Sequence, residues 1–212
     1  MRIHKYLSQQ KICSRREAEE LIKRGLIKVN GKPATVGQAI DPEKDKVEII
    51  GQANKKVTLA FYKPRGVISD QQEINGQLLN TVGRLDKDSE GLILLSNDGT
   101  VTAAVTSDKH TIEKEYEVTT QEKIGPSKIN KMASGVRLED GLTLPAKVKL
   151  INNRTFIIIL KEGRNHQIRR MAAALNLTAV KIKRTRIGNI TLGKLKPGEY
   201  RDLTNSIKHY IM

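Results

Sequence analysis

Carboxylates are the most concentrated chemistry-bearing groups in this chain. The stretch VGRLDKDSEGLILLSNDG, residues 82 to 99, holds Asp86, Asp88, Glu90 and Asp98 around an apolar run. An ionised carboxylate can attack an electrophilic carbon or stabilise positive charge developing on one. The first three acids imitate the opening of an EF-hand, but such a loop needs a bidentate Glu at its twelfth position, where this sequence has Asn97. The intervening LILLS run is also strand-like, which a calcium loop cannot accommodate. His4, His110, His166 and His209 are scattered without metal-ligand spacing, and neither a Walker loop nor a dinucleotide fingerprint is present, so no metal and no cofactor are expected. Asp86 sits in a loop entering the apolar strand, directly after Arg84 and Leu85. Asp88 and Glu90 alternate with it and give way to Gly91, a pattern that suggests solvent. On residue types alone, a turn or surface ion pair accounts for each acid better than catalysis does.

The elements that must position this cluster fall into two units. Residues 3 to 25 predict two short helices: Ile3, Tyr6 and Leu7 recur at helical spacing, and Ile12 closes the segment. Ser14 with Glu17 three residues on has capping-box spacing, Ala18, Leu21 and Ile22 form the apolar stripe behind it, and Gly25 ends the helix. A short strand, LIKVN, then leads through an Asn30-Gly31 turn to an extended stretch, and KVEII continues the pattern. GQANKK, residues 51 to 56, reads as a linker. From residue 57 short β-branched runs follow one another (VTLAFY, GLILLS, KEYEVTT, AKVKLI, TFIIIL), with helices predicted near Ser127 and over HQIRRMAAALN, 166 to 176. Many strands with few helices predict an α+β fold with a mixed, mainly antiparallel sheet.

Lys and Arg number 38 against 23 Asp and Glu, a formal net charge of +15 that favours a polyanionic partner. No apolar run approaches the roughly 20 residues that span a bilayer. The N-terminal segment lacks the apolar stretch of a secretory signal, and the lone Cys13, a small apolar filler between the helices, fits a reducing cytosol. Cytoplasmic, membrane-free residence as a monomer is the expectation. With only Phe61, Phe156 and no Trp, broad base stacking is not available, so charge and shape must do most of the work on a nucleic acid. Arg15 and Arg16 sit in the first turn of a helix, where the macrodipole disfavours cations, and that suggests phosphate contact over an ordinary solvated face. Arg2, Lys5, Lys23, Arg24 and Lys28 add to the same unit.

The string RIHKYLSQQKICSRREAEELIKRGLIKVNGK resembles the alpha-L RNA-binding domain of ribosomal small-subunit proteins and RNA-modifying enzymes. GRLDKDSEGLILLSNDG, KEYEV at 114 to 118 and EGRNHQIRRM at 162 to 171 resemble, in order, the three motifs of the RsuA-type pseudouridine synthases. KPRGV at 63 to 67, KRTRIG and LKPGEYRDLT are similar to further stretches of that family. The resemblance covers nearly the whole chain. It implies an alpha-L domain over 1–50, a linker over 51–56 and a catalytic domain over 57–212. It implies Asp86 as the catalytic carboxylate, Tyr116 as the residue packing on uracil and later taking its proton, and Arg169 as the cation that keeps Asp86 ionised. Ile168, Ala172 and Leu175 share one helix face and Arg169 lies beside it, so it can reach inward, although a helix-surface arginine is the competing reading. For Tyr116 the competing reading is a core tyrosine; Glu115 and Glu117 take the other strand face.

Arg84 is expected to fill the gap left as the target nucleotide flips out. Lys63, Arg65, Arg164, Asn165, His166, Gln167 and Arg170 join Arg2, Lys5, Arg15 and Arg16 as the expected RNA contacts. Residues 161 to 186 hold eight Lys or Arg and one acid, Glu162, and predict a second phosphate-contacting surface. The family's partner is ribosomal RNA, with the large subunit slightly favoured. Only residues 68 to 81 separate KPRGV from VGRLD, shorter than the family pattern, which predicts a trimmed loop or a lost element beside the cleft. Two other readings stay open: a non-catalytic ribosome-associated RNA-binding protein, and a glycosylase that uses the same carboxylate but leaves an abasic product.

Overall fold

The computed structural model describes residues 1–10, 12–50, 55–106 and 112–211. Helices α1 (Ile3–Gln9) and α2 (Arg15–Lys23) form as the spacing predicts. The Ser14 side chain accepts from Glu17 N at 3.2 Å and the Glu17 carboxylate accepts from Ser14 N at 3.3 Å, a capping box that contributes about 1 kcal/mol to the helix start. Gly25 follows α2 at φ +69°, a left-handed position that lets the chain turn into β1 (Ile27–Val29). β1 pairs with β2 (Lys32–Pro33) and with β3 (Val47–Ile49), both antiparallel. Ile3, Leu7, Cys13, Ala18, Leu21, Ile22, Ile27, Val29, Ala34 and Ile40 bury one another in a core built wholly within this unit. Cys13 is packing material, and burial pushes its thiol up to about 11.

Of the expected linker, residues 51–54 lie outside the described residues. Lys56 beyond them ties the units together, its Nζ donating to Ile12 O at 3.3 Å and to Asp98 Oδ1 at 3.1 Å.

The second unit runs β4 (Thr58–Lys63), β5 (Gln72–Ile74), β6 (Gln77–Val82), β7 (Glu90–Ser96), α3 (Gly99–Thr106), β8 (Lys114–Thr120), α4 (Pro126–Ser134), β9 (Arg137–Leu138), β10 (Gly141–Leu142), β11 (Lys147–Asn152), β12 (Thr155–Leu160), α5 (Gln167–Ala174), β13 (Ala179–Ile187), β14 (Ile190–Thr191), β15 (Tyr200–Asp202) and α6 (Ile207–Ile211). Its main sheet has the order β11-β12-β8-β13-β7-β4-β15, with β14 on β13 and the β5–β6 ribbon joined to β7. Among the described pairings of this sheet β13–β7 is parallel and the rest are antiparallel, so the sheet is mixed and mainly antiparallel. β7 is buried along almost its whole length, the signature of a strand covered on both faces. One core gathers β8, β12, α4 and α5; a second gathers β4, β7, α3 and α6. The parallel seam lies between them.

At that seam Gly91 sits at φ +107°, and a side chain there would fall on the backbone of Arg184. Glycine therefore permits the close approach of β7 to β13.

The structure departs from the sequence reading in four places. GTVTAAVT forms α3, which its β-branched residues conceal; Val101 and Val105 bury against β7 and α6, and tertiary packing overrides propensity. α6 was likewise not expected. Glu90 belongs to β7, half-buried and paired with Lys181 at 3.2 Å, so it is not a solvent-facing turn residue. The short segment ahead of VGRLD folds, from Gln72 on, as a hairpin, β5 and β6 joined through Asn75 and Gly76 at φ +52° and +72°. Among the described residues no helix is long and apolar enough to cross a membrane.

Candidate active site

Asp86 stands in the loop between β6 and β7, and the KPRGV segment after β4 holds that loop in place. Lys63 is 2% exposed, and its ammonium donates to Pro64 O at 2.9 Å, Val67 O at 2.6 Å and Lys87 O at 3.3 Å. Gly66 N donates to Lys87 O at 2.8 Å, and Ser69 Oγ both donates to Leu85 O at 2.8 Å and accepts from Leu85 N at 3.0 Å. Burial holds the Lys63 ammonium below its ordinary value, opposed by the charges of Asp86, Asp88 and Glu90. Lys63 is thus not free to touch RNA, contrary to the sequence expectation: it fastens two loops. Arg65, two residues on, is exposed.

The Asp86 carboxylate is about one-third exposed at the edge of a cleft of about 440 Å³. That volume suits a ligand of nucleotide size. Arg84, Leu85, Ser89, Tyr116, Leu160, Ile182 and Arg169 are among its walls. Arg169 projects from α5 and brings Nε to 3.9 Å from Asp86 Oδ2. Its fork is anchored elsewhere, Nη1 donating to Ala179 O at 2.8 Å and Nη2 to Asp88 O at 3.4 Å. Asp88 contributes its backbone carbonyl, not its carboxylate, to this arrangement. Tyr116 is 8% exposed on β8, inside the cleft. Arg84 is exposed at the rim.

His166, which the sequence suggests as an RNA contact, lies nearer the chemistry. It precedes α5 in a left-handed conformation, φ +48°, with Nε2 3.5 Å from Asp86 Oδ1. Left-handed backbone is uncommon for a residue other than glycine and concentrates at functional sites.

The basic stretch 161–186 does not form the free phosphate-binding surface expected of it. Arg164 pairs with Glu162 at 3.0 Å and Asp140 at 3.4 Å, and also donates to Leu142 O. Arg170 binds Asp140 through two nitrogens, at 3.1 and 2.5 Å, and also donates to Asn165 O. Lys181 pairs with Glu90, and Arg186 with Glu113 and Glu115. Lys183 lies over the Tyr62 ring, 5.6 Å from its centroid. Lys161 is exposed. Gln167 is 4% exposed, bonding Glu162 Oε1 at 2.7 Å and accepting from Arg164 N at 3.0 Å, so it is a strut under the loop and not an RNA contact. Asn165 remains exposed.

The N-terminal cations differ. Lys5, Arg15, Arg16 and Arg24 are exposed and form no ion pair with a described residue, while Arg2 donates to Gly37 O. Lys23 pairs with Glu20 at 2.8 Å, and Lys28 is half-buried.

Sequence reasoning missed Arg184, Lys114, Ser89 and the α3 residues Val105 and Thr106, all of which line the cleft. Arg184 falls within the 161–186 stretch expected to contact phosphate. The signal available was its place in the alternating strand AVKIKRTRI, where Ile182, Arg184 and Ile187 are buried.

Comparison with known proteins agrees with this architecture. The family described as RNA pseudouridylate synthase matches residues 44–174, and the S4 domain matches residues 1–46, the unit read above as an alpha-L domain. The dual-specificity RNA pseudouridine synthase RluF of Escherichia coli (strain K12) is 38% identical, covering 97% of this chain and 76% of the relative. Ribosomal large subunit pseudouridine synthase B of Bacillus subtilis (strain 168) is also 38% identical, covering 96% and 92%. A solved structure described as a crystal structure of pseudouridylate synthase superposes with a TM-score of 0.72 at 28% identity, covering 100% of both chains. The chain belongs to the RNA pseudouridylate synthase family. It is an RNA pseudouridine synthase with an N-terminal S4 domain.

Proposed function

We propose that this enzyme isomerises a specific uridine of ribosomal RNA to pseudouridine, with Asp86 as the catalytic carboxylate. The observation that carries the reading is the convergence on one cleft of Asp86, Tyr116 and Arg169, which lie on a loop, a strand and a helix far apart in the chain. Large-subunit RNA is slightly favoured as substrate: the Bacillus relative is named for it, and RLDKDS and KEYEVT resemble members acting there. The protein works in the cytoplasm as a monomer, on naked RNA or an assembly intermediate.

The reaction breaks the bond between the ribose and ring N1, turns the uracil and joins the ribose to ring C5; the C5 proton leaves and N1 gains one. Asp86 serves by attack or by stabilising charge, and Arg169 stands against it as the opposite charge. Tyr116 packs on the ring and takes the C5 proton, and Arg84 fills the space the flipped nucleotide leaves. Exposed Arg2, Lys5, Arg15 and Arg16 dock phosphates, with exposed Arg65, Asn165 and His166 around the cleft, while Arg164 and Arg170 position the loop through Asp140.

Incubating ribosomal RNA labelled with tritium at uridine C5 tests this. Tritium release without loss of the base is expected. An abasic product would establish a glycosylase, and binding without release would establish a non-catalytic binding protein. Carbodiimide mapping in cells with and without the gene then locates the uridine.

A further inference from the structure

Arg184 is among the largest fully buried side chains, 2% exposed, yet it lines the cleft that holds Asp86. Register places it there: Arg184 on β13 is the cross-strand partner of Tyr116 on β8, so both side chains leave the same face of the sheet as neighbours. Two of its guanidinium nitrogens are bonded, Nε donating to Leu92 O at 2.6 Å and Nη1 to Arg84 O at 3.4 Å. The third, Nη2, is buried and has no hydrogen-bond partner among the described residues. A buried guanidinium facing only carbonyls is a costly arrangement unless something else completes it.

A second cation reinforces the field. Lys114 lies two residues before Tyr116, on the same strand face, and also lines the cleft. Burial, and after it the charge of Arg184, hold the Lys114 ammonium below its ordinary value. The wall beside the Tyr116 ring therefore carries two cations that form no ion pair with a described residue, whereas Arg169 faces Asp86. The unpartnered donor is the Nη2 amino group alone, and a single nitrogen fits a carbonyl oxygen; a phosphate is usually taken by a two-pronged fork, and the Nη1 prong of Arg184 is already engaged with Arg84 O.

We propose that Arg184 is a substrate-binding residue for the reaction, its Nη2 donating to a ring carbonyl oxygen of the flipped uracil. The proposal rests on the catalytic reading of Asp86 given above. When the bond from ribose C1′ to N1 breaks, its electron pair stays with the ring and is shared with the ring carbonyl oxygens. The Arg184 hydrogen bond strengthens at that moment, and Lys114 deepens the potential around it. A donor that gains strength as charge develops acts on the chemical step more than on binding.

Single-turnover rates at saturating RNA test this with full-length enzyme and RNA whose target is uridine, 2-thiouridine or 4-thiouridine, since sulfur is the poorer acceptor. The wild type should react at least about tenfold more slowly with one of the two thio substrates, against the roughly 10²–10³-fold typical of deleting a preorganised donor outright. RNA affinity should change by less than about threefold. Arg184→Lys should be slow on plain uridine and lose nothing further with that thio substrate, because a shared interaction makes the two changes non-additive.

Equal wild-type rates on all three RNAs would overturn the proposal. So would a full additional thio penalty in Arg184→Lys, or a variant that alters affinity alone, the mark of a phosphate contact. If thermal melting shows that Arg184→Lys does not fold, the wild-type comparison decides by itself. A wild type that forms no pseudouridine in any ribosomal RNA would instead overturn the catalytic reading, and this proposal with it.

Discussion

The helix pair at the N-terminus and the stretch 161–186 look alike in sequence, since both are dense in Lys and Arg, but the molecule uses them differently. In the helix pair Lys5, Arg15, Arg16 and Arg24 stand in solvent and form no ion pair with a described residue. In 161–186 Arg164, Arg169, Arg170, Lys181 and Arg186 each face a carboxylate, and Arg184 is buried. Unpaired exposed cations can displace the counterions condensed on phosphate; paired ones orient loops and side chains. The difference separates an RNA-docking unit from a site-building one, and each expectation below can break or sharpen that separation.

The largest effect is expected at Asp86. Asp86→Asn should lower single-turnover rate by at least about 10³-fold, a typical scale for losing a nucleophile, while RNA affinity stays within a few-fold. Asp88→Asn should remain active, because Asp88 supplies a backbone carbonyl to Arg169. A dead Asp88→Asn beside an active Asp86→Asn would show that the wrong carboxylate has been chosen.

Next comes the pair on α5. Arg169→Lys shortens and reshapes the fork that spans Ala179 O, Asp88 O and Asp86, and misplacing a catalytic group by about 1 Å can cost about 10²-fold. Arg170→Lys loosens a solvent-exposed pair with Asp140 and should leave the chemical rate within about threefold. Chemical rates at saturating RNA distinguish the two, and equal losses would mean that α5 is merely a basic face.

Cys13 probes whether the helix pair has a core of its own. With its thiol pushed from 9.0 up to about 11, the thiolate is roughly 10²-fold scarcer below pH 9, so alkylation should be slow in the native protein and fast once that unit unfolds. Rapid labelling of native enzyme would mean that the core around Cys13 is open.

The smallest effect concerns docking alone. Arg15→Gln with Arg16→Gln should lower the salt slope of RNA binding by up to about 2, since each phosphate contact contributes 0.7–0.9, with chemistry at saturation unchanged. An unchanged slope would remove both arginines from the RNA contact.

Much of this organisation was legible in the residues. The Ser14–Glu17 capping box, the strand LILLS and the inward reach of Arg169 follow from spacing, and the motif order marked Asp86, Tyr116 and Arg169 together. Partners that meet only through the fold were not legible. Asp140 neutralises Arg170 across 30 residues, and the Lys87 carbonyl meets Lys63 across 24. Lys63 and Gln167 look like surface groups until the loops close over them. GTVTAAVT has strand-like composition and becomes a helix because Val101 and Val105 have a face to fill. Arg184 was hidden by its basic neighbours, since a charge count cannot tell a buried guanidinium from a solvated one.

The division of labour is tested most directly by removing residues 1 to 52 and measuring single-turnover rate against RNA concentration at two salt levels. The core around Cys13 draws only on residues 3 to 47, and the cores of the second unit draw on none of these, so the truncated chain should fold. Affinity for structured RNA should fall and its salt dependence weaken, while the rate at saturation stays within about tenfold, because contacts made equally to ground and transition states alter binding and not turnover. A folded truncated enzyme with unchanged affinity and salt slope, or one chemically dead at saturation, would contradict the separation of docking from catalysis.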